Sequence, residues 1–350
     1  MFFRNNSCEQ EKMPIILLIF PDKLVYNIHI CQDGGVCGMN RDKFRKLVEF
    51  SMQPEIQEKT IAYLAEHLGK FLKPQERVML AFREHKEGNI SWLMEQAALK
   101  IDVIPVIWGP DHRWSTLLRQ SFQNHVSAVI GSPLILLGLT KLKRQSNTPL
   151  PIRKVVSVGF PCLQWVIDGI TKGLDCEMGG CFSVHEEGVV AGFACGHSWG
   201  VHVWEEYYGV DIVDENGVSL PDGTLGNVVL YPKSQPEVRV DLGDLAMIAD
   251  TPCHCGSKTK RLLDIQMGKS MDPDICQLVL YLQSWTSILD CHLSKTESGL
   301  EIELVVFPGE KLPKLPTAAK LVIRAYDPKT DEPFWYDPGI RWGEEMYDHE

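Results

Sequence analysis

The chain predicts an α/β protein, a large N-terminal α/β domain with a β-rich end followed by a small α+β domain, and three observations lead there. Between Arg77 and Val158, short β-branched runs alternate with stretches of helical spacing, the pattern of parallel strands joined by crossover helices. From Leu174 to Ile265 the apolar runs are short and separated by turn residues, as in antiparallel β structure. After Gly268 one helical pattern and two strand patterns follow. The boundary is therefore placed between a domain of residues 1–266 and one of residues 267–350.

The elements follow in order. Cys31–Asn40 is a glycine-rich loop, after which apolar spacing predicts helices at Arg41–Met52 and Glu55–Leu72. Arg77–Phe82, Val103–Ile107, Val126–Gly131 and Lys154–Val158 read as strands, with helices between them at Ile90–Leu99, Trp114–Phe122 and Leu134–Lys143. In the β-rich section, Asp214-Glu-Asn-Gly217 and Pro221-Asp-Gly223 are turns, because glycine supplies positive φ and proline presets its own. Asp274–Gln283 predicts an amphipathic helix, and Ile288–Leu293 and Leu300–Phe307 predict strands. The acidic end Glu344–Glu350 is expected to fray.

Charge excludes one class of function. With 46 acidic against 35 basic residues the net charge is −11, so the chain is not built to neutralise nucleic-acid phosphates. Its densest basic cluster, Lys141, Lys143 and Arg144, reads as a solvated helix end. The early apolar run Pro14–Phe20 is far short of the ~20 residues of a membrane span. Charged residues precede it and no small-residue cleavage site follows, so a cytoplasmic protein without membrane contact is expected.

In that compartment, 11 cysteines point to buried thiols or metal ligands rather than disulfides. Cys162, Cys176, Cys276 and Cys291 fall in apolar stretches and read as core. Cys195, His202, Cys253 and Cys255 do not. Together they supply four soft or borderline ligands suited to tetrahedral Zn²⁺, and Gly256 lets the backbone turn around the thiolates. His197 and His254 compete as ligands, and thiols in a packed loop are the alternative. A closed set of four would be a structural clamp. Phe82, Trp108 and Trp199, with His112 and Trp114, fit either a substrate pocket or ordinary core and loop positions.

The segment Val201-His-Val-Trp-Glu-Glu-Tyr-Tyr-Gly through Gly226 is more specific. With Val238-Arg-Val-Asp-Leu-Gly-Asp-Leu245 and Thr251-Pro-Cys-His-Cys-Gly256, it resembles the phenylacetate–CoA ligase branch of the adenylate-forming enzymes. Asp102–Val106, Ala128–Pro133 and Val155–Pro161 follow in the same order, so the resemblance spans residues 28–325. It implies activation of a small carboxylic acid, aryl acids among the candidates, with ATP and Mg²⁺ and transfer from the acyl-adenylate to CoA. It also implies a small C-terminal domain hinged to the large one.

The resemblance assigns roles residue by residue. Asp244, in Gly243-Asp-Leu245, would accept the ribose hydroxyls of ATP or AMP, with Arg239 upstream and Gly159 on the nucleotide's path. Glu186 would hold Mg²⁺, or His185 occupies that position if no gap is allowed. Gly35 and Gly38 keep the spacing of the phosphate loop, while Val36 and Cys37 replace hydroxyls, Met39 replaces a lysine and Asp33 adds a negative charge. Lys269 lies at the hinge, and Lys320 stands two residues beyond Ala318, which occupies the catalytic lysine's position. Two readings stay open. One is a working ligase. The other is a catalytically degenerate homologue that binds a nucleotide, an acyl group or a partner protein, with a homodimer also admitted.

Overall fold

A computed structural model describes residues 16–19, 25–28, 40–159, 163–184, 188–198, 200–267, 273–296, 299–313 and 319–334. It is an α/β fold. β1 (Ile16–Ile19) and β2 (Val25–Ile28) form an antiparallel pair. Next come α1 (Arg41–Ser51), α2 (Pro54–Phe71), β3 (Arg77–Ala81), α3 (Ile90–Lys100), β4 (Ile104–Ile107), α4 (Trp114–Gln123) and β5 (Ala128–Gly131). α5 (Pro133–Ser146), β6 (Lys154–Val158), α6 (Gln164–Leu174), β7 (Glu177–Val184), β8 (Val189–Phe193) and β9 (Val201–Val203) follow. β10 (Tyr208–Val213), β11 (Gly226–Pro232), β12 (Val240–Ile248) and β13 (Arg261–Met267) complete an 11-stranded sheet of order β10-β11-β12-β13-β9-β8-β7-β6-β5-β3-β4.

The sheet changes character at β7. β4, β3, β5, β6 and β7 are parallel, and every pairing from β7–β8 to β10–β11 is antiparallel. The sequence shows why. The parallel strands are buried on both faces: Val78 and Leu80 pack with α2 and α3, while Met79 and Ala81 pack with α4, α5 and α6. The helices start where short polar side chains cap them. Asn40, Asn89 and Ser132 accept the backbone N–H of Lys43, Trp92 and Ile135, and Pro133 opens α5. At the turn after β10, the Asp214 carboxylate accepts from the N–H groups of Asn216 and Val218, with Gly217 at φ 80°.

The segment that carries the family resemblance is core. Trp204 stacks on Tyr63 of α2 with ring centroids 4.4 Å apart, and Tyr208 is fully buried against Phe50 of α1. That fixes α1 on the antiparallel half of the sheet and ties α2, which also covers the parallel strands, to the same half.

The β1–β2 pair was not anticipated from sequence, and neither were α6 and β16 (Lys320–Ala325). α6 follows β6, and β16 adds to a second sheet parallel to β15 (Gly299–Val306), which forms a hairpin with β14 (Ile288–Thr296) after α7 (Pro273–Ser284). This C-terminal unit packs on the helix layer. Leu289, Val305 and Phe307 share one core cluster with Trp114, Leu117, Leu139 and Leu142. The docking corrects, at Lys141, the reading of Lys141, Lys143 and Arg144 as a solvated helix end, while Arg144 is exposed. Lys141 is 4% exposed and donates to the Gln283 side chain (2.9 Å) and the Ile288 carbonyl (2.7 Å). Lys143 donates to the Gly173 and Leu174 carbonyls at the end of α6, and Arg144 pairs with Glu310. Among the described residues no helix is long and apolar enough to cross a membrane.

Candidate functional site

The best-formed constellation is Cys195, His202, Cys253 and Cys255. Their ligand atoms all lie within 4.8 Å of one another. Cys195 follows β8, His202 is in β9, and the two remaining cysteines sit in the connection between β12 and β13, so the strand pairing β8–β9–β13 brings the loops together. The Cys195 and Cys253 sulfurs are 3.4 Å apart, too far for a disulfide, and the Cys255 sulfur is 3.3 Å from Nε2 of His202. The edge of a tetrahedral zinc–thiolate site is about 3.8 Å, so the donors need to move only slightly to surround an ion.

The surroundings suit that role. Nδ1 of His202 is 3.1 Å from the Thr259 hydroxyl; donating there, the ring keeps the Nε2 lone pair for a metal. The backbone N–H groups of His197 and Ser257 point at the sulfurs of Cys195 and Cys255. Burial raises the Cys253 thiol, but hydrogen bonds from Ser198, Cys255 and His202 outweigh it and bring the thiol down to about 5. The Ser257 N–H lowers the Cys255 thiol, but burial and the neighbouring Cys253 and Cys195 sulfurs outweigh it and raise the thiol above its ordinary value. Three sulfurs and one imidazole are enough donors to fill a tetrahedral shell. His197 and His254 are engaged elsewhere, His197 with the Cys195 carbonyl and His254 with Ser198.

Asp244 is of a different kind. It lies on the buried face of β12 with Val240, Leu242 and Ala246, and is 6% exposed. Among the described residues its carboxylate has neither a hydrogen bond nor an ion pair. Burial, and secondarily the charge of Asp241, hold its pKa well above the usual carboxylate range. A carboxylate is an acceptor with room for more than one donor, so the position suits a ligand that brings O–H groups.

Arg239 does not share that face. It pairs with Asp211 of β10 at 2.7 Å and covers the Tyr231 ring, while Lys260 reaches the same Asp211 at 3.3 Å. Gly159 ends β6 at φ 80°, with its N–H donated to the Cys181 carbonyl. The register runs from Cys181 through Phe193 and His202 to Arg261, whereas Asp244 stands opposite Met267. Six residues along β13 is about 20 Å, so sheet pairing alone does not bring Gly159 beside Asp244.

Gly35, Gly38, His185, Glu186 and Lys269 lie outside the described residues, as do Val36, Cys37, Met39, Ala318, Cys162, Cys276 and Trp199. Lys320 is exposed at the start of β16 and pairs with Glu301 across the strand at 3.0 Å. Phe82, Trp108 and Trp114 are core residues, and His112 packs edge-on against Trp108.

The sequence reading missed one relay at the carboxyl edge of the parallel strands. Nδ1 of His85 is 2.9 Å from the Ser91 hydroxyl and Nε2 is 3.2 Å from the Glu95 carboxylate. Its loop meets the start of β8, because Gly188, at φ 78°, lies against the Gly88 carbonyl. The available signal was Ser91 and Glu95 four apart on one helix face, with a histidine just before the Asn89 cap. Ser91 is buried, so the relay orients His85 and does not expose a nucleophile.

A cavity of about 320 Å³ adjoins the cysteine cluster. It is lined by Ile167, Gly179 and Gly180 on one side and by Gly196–Ser198, Gly200, Asp264 and Ile265 on the other.

Comparison with known proteins places the fold. No protein-family model matches the sequence, and no curated protein matches it. Solved structures do. A 2-hydroxyisobutyryl-CoA ligase in the postadenylation state, in complex with 2-HIB-AMP, superposes with TM-score 0.60 at 15% identity, covering 82% of this chain and 68% of the ligase. The same ligase with 2-HIB-AMP and CoA gives 0.56 at 14%, covering 85% and 73%. An anthranilate CoA ligase, AuaEII, in complex with anthranoyl-AMP gives 0.51 at 12%, covering 82% and 63%. The chain thus has the fold of adenylate-forming acyl-CoA ligases and spans less than two thirds of the last one's length.

Proposed function

We propose that this chain activates a small carboxylic acid, in the manner of the phenylacetate–CoA ligases. The acid's carboxylate attacks the α-phosphate of ATP, pyrophosphate leaves, and an acyl-adenylate forms for transfer to CoA. One observation carries the reading: Asp244, a buried carboxylate in the Gly-Asp-Leu stretch of β12, the position at which the resemblance to adenylate-forming enzymes places the acceptor of the ribose hydroxyls. An acceptor-only group takes two O–H donors at once, and ligand binding would relieve its desolvation.

In this reading Gly35 and Gly38 flank the phosphates, and Glu186, with His185 beside it, supplies the Mg²⁺ carboxylate. Gly159 borders the cleft, and Lys269 and Lys320 are the cations nearest the lost lysine position. Mg²⁺ would supply charge neutralisation at the phosphates. Zn²⁺ on Cys195, His202, Cys253 and Cys255 would clamp the connections after β8 and β12. The chain divides after residue 266, and works in the cytoplasm, where its thiols stay reduced, on an acid of which aryl acids are candidates.

A second reading has its own support. Lys320 is committed to Glu301, Arg239 to Asp211, and the C-terminal unit is sealed to α5 through buried Lys141. A unit held that way suits a protein that binds nucleotide or acyl group without turnover, alone, as a homodimer or with a partner protein.

Calorimetry with AMP tests the proposal. Wild type is expected to bind, and Asp244→Ala to bind at least about tenfold more weakly, the value of about 1.4 kcal/mol for one charge-assisted hydrogen bond lost. No heat of binding from wild type at millimolar AMP would remove the nucleotide from the account.

A further inference from the structure

We propose that the groove between α4, the end of α5 and the C-terminal unit binds an amphiphile, an apolar body carrying a single carboxylate, as in a free medium-chain acid. The inference stands apart from the nucleotide and metal readings. Asp244 lies on the face of β12 whose Leu242 and Ala246 share a core cluster with Leu47 of α1. Leu142 on the lining of the groove belongs instead to the cluster of Trp114 and Leu117, under α4 and α5.

The apolar walls come from three places. Leu118 and Phe122 stand one turn apart on a single face of α4, Leu142 and Pro149 come from the end of α5 and the turn after it, and Phe307 and Tyr326 come from the C-terminal unit. All of these segments lie within the described residues. The rings of Phe307 and Tyr326 meet edge-on with centroids 5.8 Å apart. Phe122 is 45% exposed, so an occupant removes apolar surface from water there. The groove has a volume of about 630 Å³, within the range of ~300–1,000 Å³ that small-molecule sites span.

Charge selects the head group. Arg119 is the one charged residue on the lining, in a chain of net charge −11. Among the described residues its guanidinium hydrogen-bonds only to the Thr116 hydroxyl, at 3.5 Å, and the nearby Asp111 is already paired with Arg113 at 2.6 Å. The hydroxyls of Ser115 and Ser146 donate to the Pro328 and Leu142 carbonyls, so neither competes for the head. Asp327 and Asp331 lie near Tyr326, with Asp331 paired to Arg324. A carboxylate is therefore repelled from the Tyr326 end and drawn to Arg119, where a guanidinium takes it through two N–H groups, and the rings take the tail.

Calorimetry on the full chain tests this with two probes that share a tail and differ in the sign of the head, decanoate and decyltrimethylammonium, each below its micelle concentration. Wild type is expected to bind decanoate at one saturable site and the ammonium at least about tenfold more weakly. Arg119→Glu should weaken decanoate about tenfold or more, as loss of one charge-assisted contact implies, and bring the ammonium closer to it. Ser146→Trp should weaken both probes, because the indole fills the groove that the tail occupies. Both replaced side chains are exposed, so the fold does not depend on them. No saturable heat from wild type, equal affinity for the two heads, or decanoate affinity unchanged in either variant overturns the inference. None of these outcomes bears on AMP binding, which tests the nucleotide reading separately.

Discussion

Replacing Lys141 with methionine probes how the C-terminal unit is held. The ammonium makes two contacts, to Gln283 at 2.9 Å and to the Ile288 carbonyl at 2.7 Å, and Gln283 in turn donates to Asp290 at 2.8 Å. Asp290 also receives the N–H groups of Cys291 and Phe334. Losing two charge-assisted donors costs about 1.5–3 kcal/mol each, and two acceptors stay buried. Methionine recovers part of this, because it fills the lysine stem and needs no desolvation. The net loss is expected to be about 2–3 kcal/mol, a shift of the urea midpoint of about 1 M at a slope on the order of 3 kcal/mol/M.

The pH dependence has a sign to check as well. Burial, opposed by Cys291 and Asp290, lowers Lys141 from 10.5 to about 8, so the unfolded chain holds this proton longer and stability rises between those values. Burial raises Asp290 from 3.8 to about 7, so its contribution falls as pH rises from 3.8 to 7. Urea melts from pH 5 to 10 should therefore show a minimum near pH 7–8; Lys141→Met removes the upper rise and Asp290→Asn the lower fall. A methionine variant within about 0.5 kcal/mol of wild type, the scatter of an ordinary surface substitution, would refute the buried-latch reasoning.

Three further outcomes are expected. Asp244→Asn should raise stability at neutral pH, because a carboxylate whose pKa is raised by folding loses stability as pH climbs above its unfolded value; equal urea midpoints at pH 4 and pH 7 would count against the burial argument. Cys255→Ser should lower the bound zinc measured by plasma emission at least about tenfold, as loss of one ligand of four implies, and wild-type protein without zinc would end the clamp. Trp204→Ala should cost about 3–5 kcal/mol in urea unfolding, since a buried indole and its 4.4 Å stack on Tyr63 are lost together.

The parts of the fold legible in sequence were those set by local pattern. The alternation from Arg77 to Val158 marked the parallel strands because both faces of each strand are buried, and Asp214–Gly217 marked a turn because its own side chain closes it. α6 was missed because Gly169 and Gly173 weaken its helical signal, and the reason for Gly173 is tertiary: a Cβ there would press on Thr140 of α5 at 2.7 Å. Lys141 looked like surface because its charge is a local property, whereas its burial comes from a hairpin over a hundred residues away. For the site, cysteine spacing sufficed to collect the four donors, since the strands between them are short. The sheet register separating Gly159 from Asp244 has no trace in either motif.

The central claim is acid activation, and ATP–pyrophosphate exchange tests it most directly. Purified full-length chain with Mg²⁺, ATP, labelled pyrophosphate and a panel of aryl and aliphatic acids should return label to ATP with at least one acid. That exchange should fall at least about tenfold in Asp244→Ala, one charge-assisted hydrogen bond's worth. No exchange above background with any acid, from protein that binds AMP, would contradict the ligase and leave a nucleotide-binding protein on a ligase fold.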